Sequence, residues 1–91
     1  MANEELIAEA EMGEEARKFL AGDLGKCLVG LAHQEVELAQ EALETVSPTD
    51  TEAIRDLQFK ARFGRQFEGW LRSLVADGDN AIQVFKQSQE T

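Results

Sequence analysis

Hydrophobic positions along residues 50 to 86 recur at helical spacing in two lines: Phe59, Phe63, Phe67, Trp70 and Leu74 on one, and Ile54, Leu57, Ala61, Leu71, Val75 and Ile82 beside it. A similar double line runs from Asp23 to Val46, with Leu24, Leu28, Leu31, Leu38 and Ala42 flanked by Val29, Ala32, Val36, Ala39, Leu43 and Val46. Projected at 100° per residue, each segment carries an apolar arc of about 200°, twice that of a surface helix packed on one side. Each helix therefore needs two neighbours, and one intrachain partner covers only one flank.

The boundary between them is Ser47-Pro48-Thr49-Asp50-Thr51-Glu52. Pro48 disfavours helix at Ser47, and Thr49 with Glu52 has the spacing of a capping box. A connection this short predicts antiparallel neighbours. Upstream, Asn3 is a candidate N-cap for a helix carrying Leu6, Ile7, Met12, Ala16, Phe19 and Leu20, and its clustered glutamates suit a helix N-terminus. Gly13 and Gly22 blur its limits, while Gly25 and Gly30 lower helix propensity and are candidate places for the close approach of another backbone. Downstream, Asp77-Gly78-Asp79-Asn80 is turn-like, yet the apolar lines continue through Ala81, Ile82 and Phe85, so the alternatives are a turn, a kink or an uninterrupted helix.

The fold predicted is all-α: an antiparallel helical hairpin with an additional N-terminal helix, assembling into a helical oligomer. Residues 1–91 form one domain, divided into an N-terminal helix within 1–22, a helix over 23–46, a turn at 47–49, a long helix over 50–76, and a turn or kink with a short C-terminal helix over 77–91.

Composition weakens the expected core. Of the 43% apolar residues, 12 are alanine, which favours helices and buries little area. The aromatic line Phe59, Phe63, Phe67, Trp70 and Leu74 is accordingly the expected partner or oligomer interface, since exposed aromatic patches mark protein contacts; the alternative is that the N-terminal helix covers the remainder and the line is the core of a three-helix monomer. Glu35 sits within the apolar arc of one long helix and Lys60 within that of the other. In an antiparallel hairpin they fall nearly level, which predicts a buried interhelix ion pair fixing register.

Net charge is −9. Residues 1–46 hold 11 acids against three bases, whereas residues 47–91 hold seven against six. An acidic total opposes direct binding of nucleic acid by a monomer, and of anionic lipid, and favours a protein partner, a homo-oligomer foremost. Glu37, Glu41 and Glu44 share an acidic face with His33, and Arg55, Arg62, Arg65 and Arg72 form a basic face suited to carboxylates. His33, Glu37 and Glu41 have the spacing of half a carboxylate metal site, but they lie opposite the apolar arc, and one histidine with one cysteine cannot build a standard zinc site.

Cys27 excludes an internal disulfide and reads as a structural thiol. The acidic start lacks the basic and apolar regions of a secretory leader, and no apolar run is long enough for a membrane span, so a cytoplasmic address is expected. No phosphate-binding loop, nucleophile elbow or Ser/His/Asp set is legible, so neither an enzyme nor a cofactor is expected.

Glu15-Ala16-Arg17-Lys18-Phe19-Leu20, Asp50 to Gln58 and Phe67-Glu68-Gly69-Trp70-Leu71 resemble stretches of small acidic helical proteins encoded by tailed bacteriophages. The resemblance implies a viral origin, an accessory or virion-associated role, and a location in the host cytoplasm or virion. It assigns no functional residue. Two other readings follow from charge: an acidic DNA mimic that occupies a nucleic-acid-binding protein of the host, and an oligomeric DNA-packaging or regulatory protein using the arginine face.

Overall fold

The computed structural model describes residues 3–90, which form three α-helices: α1, Asn3–Ala21; α2, Asp23–Thr45; and α3, Thr51–Glu90. Among the described residues there is no strand, and no helix is long and apolar enough to cross a membrane.

Local chemistry accounts for the helix ends. The Gly22 amide donates to the Lys18 carbonyl at 2.9 Å, closing α1, while the Gly22 carbonyl accepts from the Lys26 amide at 3.0 Å, opening α2. A single residue thus serves as both end and beginning. Gly25 sits so tightly against the last turn of α1 that a Cβ there would fall on the Phe19 carbonyl. Between α2 and α3, the Asp50 amide donates to the Ser47 carbonyl at 3.0 Å, a β-turn with Pro48 in its favoured second position.

The N-cap of α3 is Asp50, whose Oδ1 accepts from the Ala53 amide at 3.1 Å. This corrects the capping box expected at Thr49, whose hydroxyl lies 3.0 Å from Ser47 Oγ instead. One residue later, the Asp50 carboxylate stands within reach of the third helical amide, so the cap forms there.

The chain divides into two compact units, one joining α1 and the start of α2 to α3 from Trp70 onward, the other running from Cys27 to Gly69. In the first, α1 packs on the last half of α3 through Leu6, Ala16 and Ala81, all buried. Gly13 and Gly78 let the two backbones touch. A Cβ at Gly13 would stand 2.8 Å from both the Gly78 Cα and the Leu74 carbonyl oxygen. Arg17 Nη2 then donates to Asp79 Oδ1 at 2.7 Å.

These contacts correct the turn or kink expected at 77–80: α3 is continuous there, and no glycine has positive φ. A mid-helix glycine costs about 1 kcal/mol in propensity, but here it permits close packing that a turn would forfeit.

In the second unit, Gly64 packs against Val36 and the Ala32 carbonyl, Ala39 and Ala61 are buried, and His33 Nε2 lies 2.8 Å from Glu68 Oε1. The buried apolar residues of this unit are both alanines, whereas Leu31, Leu38, Phe59 and Phe63 are each half or more exposed.

Candidate protein-binding groove

Small residues at the contact of the second unit have a direct consequence. With Gly64, Ala39 and Ala61 between them, the two backbones approach closely, and Leu31, Leu38, Phe59 and Phe63 stand outside the contact. On one side lies a groove of about 270 Å³, with Ala32 and Gly64 among its lining residues beside Leu28, Leu31, Phe59, Phe63 and Phe67. Phe59 is 65% exposed and Phe63 50%, and their rings stack with centroids 6.1 Å apart and planes inclined by 24°. Leu31 and Leu38, spaced along α2, are likewise about half exposed. Phe67 is half-buried.

Three residues of the expected aromatic interface therefore meet at this groove. Trp70 and Leu74, the other two, belong to the first unit and do not line it, although Trp70 is 53% exposed. The leucines of α2 were not assigned to the interface from sequence, yet Leu28 and Leu31 belong to it. Their line at helical spacing was the available signal, because an arc too wide for one neighbour leaves one flank of α2 open as well.

Glu35 and Lys60 also line the groove, but the buried ion pair expected of them is absent. Both are exposed, and no ion pair joins them among the described residues. Gly64 packs between Ala32 and Val36, which places the residue level with Glu35 nearer Phe63. Lys60 falls about a turn away.

The polar faces are organised differently from the expected pattern. His33 is not simply solvated: it bridges to Glu68, whose side chain is 20% exposed. Glu37, Glu41 and Glu44 are exposed, as are Arg55, Arg62, Arg65 and Arg72. Arg65 lines a shallow hollow with His33, Glu37 and Glu68, and Arg72 lines another with Arg17 and Asp79. Such exposed charges contribute at most about 1 kcal/mol each. Cys27 is exposed, which corrects the buried structural thiol expected: it lies on the flank of α2 that the close contact leaves open. No group of three or more His, Cys, Asp or Glu side chains among the described residues is arranged to hold a metal ion.

A second apolar hollow, of about 510 Å³, lies in the first unit between Leu6, Ile7 and Ala10 of α1 and Ala81, Ile82 and Phe85 of α3. It too forms where small residues at a contact leave larger ones on its margin. No family model, curated protein or solved structure matches the chain.

Proposed function

We propose that this chain is a non-enzymatic assembly accessory that works by binding protein through the groove around Phe59 and Phe63, as a helical hairpin in a helical oligomer. The observation that carries this reading is an apolar concavity lined by three phenylalanines and two leucines in a chain whose buried apolar residues, among those described, are Leu6 and four alanines. Aromatic side chains held on a rigid helix lose little conformational freedom on binding and dominate interface energetics. Full burial of a phenylalanine is favourable by about 1.5–3 kcal/mol, so two of them exposed represent free energy that a partner recovers. A virion-associated role for such an accessory agrees with the resemblance of its helices to small phage proteins.

The test separates binding from folding. Replacing Phe59 and Phe63 together by serine is expected to keep the far-ultraviolet helical signal and to cost about 1–2 kcal/mol in a thermal melt, well below the cost of two buried phenylalanines. Binding of an apolar fluorescent dye and concentration-dependent association should both be lost. A variant that unfolds would make these rings core; one that binds dye and associates like the parent would remove the groove from the binding surface.

A further inference from the structure

The occupant of the groove follows from two independent observations. The first is the extent of the exposed apolar surface in this unit: Leu31, Leu38, Phe59 and Phe63, spread along both helices, are each half or more exposed. A small ligand in a groove of about 270 Å³ would leave Leu38, which does not line it, uncovered.

The second is charge. Among the groove's lining residues are one acid and one base, Glu35 and Lys60, which do not pair with each other within the chain. A two-fold axis sets residue i against j and j against i. A surface bearing one acid and one base in an apolar field is therefore complementary to itself. Two helical pairs meeting by their open apolar faces also complete a four-helix arrangement, the common solution for antiparallel helices.

We propose that the groove is filled by a second copy of this chain, in a two-fold dimer that stacks the Phe59 and Phe63 faces and sets Glu35 of each copy against Lys60 of the other. This rests on the reading of the groove as a protein-binding surface and names its partner. Glu35 and Lys60 then act as register and specificity determinants, because misplaced docking leaves a charge against hydrocarbon. The acidic face of Glu37, Glu41 and Glu44 stays in water, where its charge opposes further stacking.

The deciding experiment is gel filtration with light scattering on the full chain, with circular dichroism to confirm helicity of every variant. The parent should be a dimer. Glu35→Lys and Lys60→Glu should each remain helical and weaken dimerisation by about 10–100-fold, since each sets like charges together at both symmetric positions. Mixing the two variants should restore a dimer containing one of each, resolved by native mass spectrometry, because both crossings then join opposite charges. Restoration on mixing cannot arise from a pair formed within one chain.

A monomeric parent, or a trimer or larger ring, overturns the two-fold pairing while leaving the groove's binding role to the Phe59 and Phe63 test. A dimer that neither reversal weakens places the interface elsewhere and overturns both readings. Reversals that weaken the dimer without recovery on mixing overturn the Glu35 to Lys60 crossing.

Discussion

Alanine at Gly25 is expected to destabilise the fold by about 3 kcal/mol or more, and to lower the melting temperature by more than about 10 °C. Elsewhere in a helix this substitution is favourable by about 1 kcal/mol, because glycine loses the most backbone freedom on folding. Here the sign reverses. The added Cβ falls on the Phe19 carbonyl, a backbone group that cannot rotate away. Room can be made only by opening the junction at Gly22, whose amide and carbonyl serve both helices. Gly30→Ala is the control: nothing lies within 4 Å of its added Cβ, and the variant should gain about 0.5–1 kcal/mol. Thermal melts of the two variants check the pair of signs. A Gly25→Ala melt at or above that of the parent would show that the junction is looser than described.

The second large effect is expected where α1 meets α3. A Cβ at Gly78 would approach the Gly13 Cα to 2.8 Å and the Glu9 carbonyl oxygen to 3.1 Å. Gly78→Ala should therefore cost about 1–3 kcal/mol, and Gly78→Leu more, by forcing the helices apart and weakening the burial of Leu6 and Ala81. Gly13→Ala acts through the same contact. Once one substitution has separated the backbones, the other meets less resistance, so the double variant should cost less than the two single costs combined. A coupling of at least about 0.5 kcal/mol in a denaturant double-mutant cycle is the expected result. Strict additivity would mean that the two glycines do not share one contact.

Much of the helical layout was legible because it depends on local chemistry. The lines from Leu24 to Val46 and from Ile54 to Ile82 have one period throughout, and Pro48 interrupts them where a turn indeed forms. What escaped was tertiary in origin. Asp77-Gly78-Asp79-Asn80 has the composition of a turn, and only the approach of Gly13 and the Arg17 to Asp79 bridge, both distant in sequence, explain why the helix continues.

The candidate site divides in the same way. Its aromatic members were legible from spacing, since Phe59 and Phe63 must share a helix face. Leu28 and Leu31 were visible as a line, but their place in the groove depends on how far Gly64 lets the backbones approach. Glu35 and Lys60 were placed level by assuming even pairing from the turn. The packing of Gly64 between Ala32 and Val36 shifts that register by about two residues, roughly half a turn, so that Glu35 falls level with Phe63 rather than beside Lys60.

One measurement bears most directly on the claim that this chain completes its fold with a second copy. Among the described residues of a single copy, the buried apolar ones are Leu6 and four alanines, so the interface should add to the stability of each copy. Unfolding is then coupled to dissociation, and the melting temperature must depend on protein concentration. For two chains of this size the melting temperature should rise by about 4 °C for each tenfold increase in concentration. A melting temperature that stays constant over a hundredfold range would contradict the account, because a fold indifferent to concentration draws nothing from its partner.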